Sequence, residues 1–123
     1  MKKTVFVDRD GTIVEDTGYI HKAEDFRLLP NAIEGLRKLR KFMIFIVTNQ
    51  SGIGRGAYKL EDFKKFNDGM IEELGKHKIR IEKIYYCPHA PEDNCECRKP
   101  KTKLLEEARR EFGIELEKSF VIG

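Results

Sequence analysis

The chain has 123 residues, a length that accommodates one compact domain and leaves no room for a second core. Charged residues make up 37% of it, and 24 Lys and Arg interspersed with 21 Asp and Glu leave a net charge of only +3, which argues against a nucleic-acid coat protein. Its apolar runs fall far short of the roughly 20 residues that span a bilayer, so the expectation is a cytoplasmic, monomeric domain over residues 1–123 with neither membrane nor nucleic acid as partner.

Thr4 to Val7 is short, β-branched and apolar, and it ends at Asp8, the pattern of a buried strand followed at once by polar chemistry. Arg9 to Arg27 is a longer connection, read as a substrate-facing flap. After Pro30, the spacing of Ile33, Leu36 and Leu39 predicts a helix. Phe42 to Val47 repeats the strand pattern and ends at Thr48-Asn49. Gln50 to Gly56 reads as a glycine-rich loop, and Leu60, Phe63, Asn67, Met70, Ile71 and Leu74 predict a second helix. Ile81 to Tyr86 is a third strand, ending at Cys87; Leu104, Leu105, Ala108 and Phe112 mark a third helix; Ser119 to Ile122 is a fourth apolar run, read as a buried strand. Strands alternating with helices imply an α/β fold, a Rossmann-like three-layer αβα sandwich whose parallel sheet opens a ligand crevice at the strands' carboxyl ends. The polar clusters lie at those ends.

Asp8-Arg9-Asp10-Gly11-Thr12 carries the first cluster. If the strand continues through Asp10, its period of two puts both carboxylates on one side, where they can share a hard cation such as Mg²⁺. Hydrolysis of a phosphate monoester needs a nucleophile, a proton donor for the leaving oxygen and a cation for the phosphoryl charge, and Asp8 and Asp10 can supply these. A plain Asp-Gly turn is the competing reading. At the second strand end, Thr48, Asn49 and the backbone N–H groups of the glycine-rich loop can bind phosphate oxygens. Arg55 is a candidate for a second anion contact, a solvated arginine being its alternative.

Cys87-Pro88-His89 and Cys95-Glu96-Cys97 place three thiols and one imidazole on one loop, residues 87–97. An odd number of cysteines so closely spaced does not suit a secreted disulfide framework. It does suit the Cys₃His set of a closed, structural Zn²⁺ site with Cys87, His89, Cys95 and Cys97 as ligands, ordering the loop so that Arg98 and Lys99 reach the crevice.

Val5 to Thr12 resembles the first motif of the haloacid-dehalogenase-type phosphatases. That resemblance implies Asp8 as the nucleophile and Asp10 as the general acid/base. It also matches Thr48, with Asn49 beside it, to the residue that binds the transferred phosphoryl group, and Lys99 to the family's third-motif lysine. The zinc loop, Asp-Arg-Asp-Gly-Thr, Thr-Asn-Gln-Ser-Gly-Ile-Gly-Arg-Gly and Gly18-Tyr19-Ile20-His21 together resemble the branch of heptose bisphosphate and histidinol phosphate phosphatases, with the heptose 7-phosphatases the better match. The resemblance implies a small sugar phosphate as substrate, and His21 as a residue that lines its opening. Histidinol phosphate, a polynucleotide 3′-phosphate, and a non-catalytic zinc-stabilised phosphate-binding module are the alternatives. In this family the last strand is followed by Gly-Asp, whose Asp is a further Mg²⁺ ligand. The sequence given stops at Gly123, so a truncated C-terminus is expected.

Overall fold

A computed structural model describes residues 3–15, 27–89, 92, 95 and 102–123. Its elements run β1 (Thr4–Val7), α1 (Ala32–Lys38), β2 (Met43–Asn49), α2 (Ser51–Gly54), α3 (Leu60–Lys76), β3 (Lys83–Cys87), α4 (Lys103–Phe112), a short 3₁₀ turn (Leu116–Lys118) and β4 (Phe120–Ile122). The four strands form one parallel sheet in the order β3-β2-β1-β4. The chain therefore builds outward from β1 to β3 and then crosses back to the other side of β1. Such a reversal of strand order leaves a crevice outside the carboxyl ends of the strands, where ligands bind in open α/β sheets. Asp8, Thr48, Cys87 and Gly123 all lie at those ends.

The alternation of side chains along β1 and β2 decides which helix packs where. Val5, Val7, Ile44 and Ile46 point to one face and pack with Leu36 of α1 and Phe66, Met70 and Leu74 of α3. Phe6, Phe45 and Val47 point to the other and pack with Leu104 and Ala108 of α4. Both central strands are buried on both faces, so they read as continuous apolar runs. Phe6 and Phe45 stack with centroids 5.5 Å apart, and Phe112 meets the Phe45 ring edge-on at 4.9 Å. Full burial of the Phe6 and Phe45 rings stabilises the fold by about 1.5–3 kcal/mol each, while Phe112 stays partly exposed.

Helix ends follow local chemistry. Asp62 accepts a hydrogen bond from the Lys59 N–H at the start of α3 (2.9 Å), satisfying one of the donors that a helix N-terminus leaves open. α4 stops at Gly113, whose φ of +66° is the left-handed conformation that glycine adopts without a Cβ penalty. None of the helices among the described residues is long and apolar enough to cross a membrane.

Two expectations need correction. Ser51–Gly54 is a turn of helix and not loop, held by tertiary bonds that the glycine content hides: the Gly54 N–H donates to the Pro88 carbonyl at 2.8 Å. The fourth apolar run is a strand but not a buried one. Phe120, Val121 and Ile122 are 50%, 64% and 40% exposed, because β4 pairs with β1 on one side only and no described element covers its outer side.

Candidate active site and metal cluster

The strand β1 ends at Val7, so the two acids are not presented by an uninterrupted strand. One further sheet bond, from the Asp8 N–H to the Ile122 carbonyl (2.9 Å), carries the pairing past the strand end, and the chain then bends. Asp8 Oδ1 accepts the Arg9 N–H at 2.8 Å. Gly123 lies against Asp8: a Cβ there would stand 3.3 Å from Asp8 Cβ and 3.9 Å from Oδ2, so the strand end next to this carboxylate leaves little space for a side chain.

Asp10 opens a tight turn. Gly11 takes φ +82° and donates its N–H to the Val14 carbonyl (2.8 Å), while the Arg9 carbonyl accepts from Ile13 (2.9 Å) and Val14 (3.0 Å). The Asp-Gly turn and the presentation of Asp10 at the crevice are therefore one feature. Between the two acids, Arg9 turns inward and is fully buried. Its Nε donates to Asp10 Oδ1 at 2.6 Å and its Nη2 to Oδ2 at 3.2 Å, while Nη1 donates to Asn67 Oδ1 on α3 at 2.9 Å. The guanidinium also lies over the rings of Phe66 (4.6 Å) and Phe63 (5.3 Å). A buried charge is tolerable only when paired and hydrogen-bonded, and this one is both.

At the end of β2, Thr48 is buried and Asn49 half-buried. The Gln50 side chain, 3% exposed, donates from Nε2 to Thr48 Oγ1 (2.9 Å) and to Asp10 Oδ2 (3.1 Å), and its Oε1 accepts the Tyr58 hydroxyl. One amide thus ties the first strand end to the second. The Gln50 N–H reaches on to the Cys87 carbonyl at 2.7 Å, joining the third. Arg55 forms an exposed, two-pronged ion pair with Glu92, both contacts at 3.0 Å, and so is not the lone solvated arginine of the alternative reading.

Cys87, His89 and Cys95 gather at the end of β3. The two Sγ atoms are 3.3 Å apart, Cys87 Sγ lies 3.7 Å from His89 Nδ1, and all three donor atoms fall within 4.8 Å of one another. A tetrahedral ion with Zn–S bonds of about 2.3 Å would separate its sulfur ligands by a little under about 4 Å, so the cluster needs only a small opening to hold one. His21, Cys97, Arg98 and Lys99 lie outside the described residues.

The structure thus joins Asp10 with Thr48 and seats Asp8 on the adjoining strand end; it adds Arg9, Tyr58 and Asn67, which the sequence does not single out as part of a site, and turns the Gln50 side chain, expected only within the phosphate-binding loop, to Asp10 and Thr48. Asn67 did leave a signal, as a polar residue at a core position of the α3 pattern. Arg9 left a weaker one, an arginine between two acids directly after a buried strand.

The polynucleotide kinase 3 phosphatase family model matches residues 3–123. The probable D-glycero-D-manno-heptose-1,7-bisphosphate 7-phosphatase of Thermoplasma volcanium is 46% identical over 123 residues, 98% of this chain and 84% of that protein. The D-glycero-alpha-D-manno-heptose-1,7-bisphosphate 7-phosphatase of Campylobacter jejuni is also 46% identical, over 98% of this chain and 70% of its own length. Among solved structures, the D,D-heptose 1,7-bisphosphate phosphatase of B. bronchiseptica, complexed with magnesium and phosphate, superimposes with a TM-score of 0.91 at 27% identity, covering 98% of this chain and 69% of that one.

Proposed function

The chain belongs to the haloacid-dehalogenase-like phosphatases of the D,D-heptose 1,7-bisphosphate phosphatase family, and from that premise we propose that it removes the 7-phosphate of D-glycero-D-manno-heptose 1,7-bisphosphate. The observation that carries the reading is 46% identity to such enzymes along nearly the whole chain, on a fold whose acids and phosphate-binding hydroxyl meet at one end of the sheet.

In the proposed reaction, a carboxylate oxygen of Asp8 attacks phosphorus, and the phosphorus–oxygen bond to the sugar breaks as Asp10 gives its proton to the departing alkoxide. Water then attacks the aspartyl-phosphate, losing a proton to Asp10, and inorganic phosphate leaves as the Asp8 carboxylate is restored. Thr48 and Asn49 would hold the transferred phosphoryl oxygens. Lys99, with Arg98 beside it, would offset their charge, and Arg55 would meet a second anionic group of the substrate.

Two metals fit the donors present. Asp8 offers a hard carboxylate at the crevice that would hold a cation, and Asp10, whose oxygens accept three N–H groups, keeps about one of a carboxylate's four acceptor sites, which would serve the cation only while it does not carry the transferred proton. Bound there, Mg²⁺ supplies positive charge to the phosphoryl group. Cys87, His89 and Cys95 form a soft donor set that suits Zn²⁺, and Cys97 would supply the fourth ligand. With four protein ligands such an ion would be structural, and it would brace the segment that carries Arg98 and Lys99 in sequence.

Phosphate release from the heptose bisphosphate, histidinol phosphate and a 3′-phosphorylated oligonucleotide, assayed side by side with Mg²⁺, tests the substrate. The heptose bisphosphate is expected to be preferred at least tenfold in kcat/KM. A preference for either of the others would overturn the assignment.

A further inference from the structure

We infer that Gln50 is a positioning residue that sets the direction of the Thr48 hydroxyl proton, presenting Thr48 to the phosphoryl group as a hydrogen-bond donor. The inference rests on the phosphatase reading above and extends it to a residue that touches no substrate.

Asp10 fixes the orientation of the Gln50 amide. In its carboxylate form, held by the Arg9 fork through both oxygens, it has only acceptors to offer. The Gln50 amide atom that faces it at 3.1 Å must therefore be the NH₂ group. With the amide reversed, Oε1 would face the carboxylate Oδ2 with no proton between them, two acceptors opposed in a part-buried setting, and the buried Gln50 would lose its donor bond. The orientation this chemistry requires also places Oε1 toward Tyr58, whose hydroxyl can donate to it. A carboxylate at one end of the amide and a phenol at the other thus select the same rotamer.

The consequence falls on Thr48. One of the two amide hydrogens goes to Asp10, and the second goes to Thr48 Oγ1 at 2.9 Å. A threonine hydroxyl carries one proton and rotates to suit its neighbours. Because Oγ1 accepts from Gln50, the Thr48 proton is turned away from Gln50 toward another acceptor, and the phosphoryl oxygens expected at this strand end are acceptors. Without the amide, the hydroxyl could spend its proton inside the protein and offer only lone pairs to an anion. Gln50 is 3% exposed and linked by backbone to Cys87, so the device is set before substrate arrives. Donors aimed in advance are the ones that contribute most in the transition state, roughly 10²–10³ in rate for a single group.

The test is a double-mutant cycle in the protein carrying this chain. It combines Gln50→Met, which keeps the side-chain length without the polar atoms, with Thr48→Val. Both kcat and KM for the heptose bisphosphate are read, together with affinity for orthovanadate. Gln50→Met should lower kcat about tenfold to a hundredfold, a part of what a lost donor costs, with a smaller change in KM. In the Thr48→Val background the same change should cost less than about twofold, since no hydroxyl is left to orient. In a Thr48→Ser background, the loss should persist. If Gln50→Met does not fold, Tyr58→Phe replaces it; removing the phenol should give a smaller loss that likewise vanishes with Thr48→Val. Additive losses would overturn the inference and assign Gln50's effect to Asp10 or to packing. A parent protein that releases no phosphate from any ester would instead refute the phosphatase reading, and this inference with it.

Discussion

Two polar clusters stand at the same end of the sheet and are built on opposite principles. Around Asp10 the chain supplies its own partners. Arg9, Gln50, Thr48, Tyr58 and Asn67 connect in one network, and no buried side-chain nitrogen or oxygen among the described residues lacks a partner. Around Cys87 the side chains converge on a point, with sulfur and imidazole donors within 4.8 Å of one another. The first cluster is rigid by hydrogen bonding; the second is a donor set suited to a cation. Gln50, whose side chain belongs to the first and whose N–H bonds the Cys87 carbonyl, is where the two meet.

The sharpest way to break this contrast is Arg9→Met. It deletes a fully buried charge and leaves Asp10, itself only 21% exposed, facing an apolar side chain, with Asn67 deprived of its donor. Breaking a buried pair in this way costs about 3–5 kcal/mol, and urea unfolding should show a loss of that size. A loss below about 1 kcal/mol would mean that the network is no more than a surface ion pair.

The sulfur cluster should respond to the metal instead. With zinc held at a hundredfold excess over its Kd, stabilisation by linkage is about 2.7 kcal/mol. A chelator should remove that increment and lower the Tm, and Cys95→Ser should abolish the response. An unchanged Tm, with no zinc found by elemental analysis, would show that the cluster binds no metal.

The smallest effect is expected at an ion pair distant in type from both. Lys83 on β3 donates to Glu111 on α4 at 2.8 and 2.9 Å, and Tyr85 donates to the same carboxylate. The Lys83 and Tyr85 hydrogen bonds hold the Glu111 carboxyl below its ordinary value of 4.5. Burial, more than the neighbouring Glu111, pushes the Tyr85 phenol above its usual range. A depressed carboxyl contributes stability that is present above its unfolded pKa and is lost as pH falls through the folded one. Glu111→Gln should therefore cost the small amount that an exposed pair contributes at neutral pH, and the difference from the parent should vanish as the pH falls below about 4.5. A loss at pH 7 comparable to that of Arg9→Met would erase the distinction between buried and exposed pairs.

The regular part of the fold was legible because its signals are local. Thr4–Val7 ends where its apolar run ends, and Phe63, Asn67, Met70 and Leu74 of α3 and Leu104 and Ala108 of α4 lie on the faces that pack, whereas Leu60, Ile71 and Phe112 of the same patterns are exposed. What escaped depends on position in the assembled sheet. Phe120 to Ile122 are as apolar as β1, yet exposure is decided by which strands flank them. Ser51–Gly54 is helical against the preference of two glycines, because its backbone is tied to Pro88. In the site, Asp8, Asp10, Thr48 and the thiols were visible as residue types at strand ends. Arg9 was only weakly so, because an arginine between two acids does not by itself say that its side chain turns inward to Asn67, 58 positions away in sequence. Tyr58 left no signal at all.

Everything proposed for this site requires Asp8 to accept a phosphoryl group. The direct measurement is rapid acid quenching during turnover of the heptose bisphosphate with Mg²⁺, followed by mass spectrometry of the peptide that contains Asp8. The prediction is one added phosphoryl group on Asp8, absent from Asp8→Asn, which should also lose turnover at least a thousandfold, on the scale of removing a nucleophile. Phosphate release that continues in Asp8→Asn, with no adduct on the parent protein at any quench time, would contradict it.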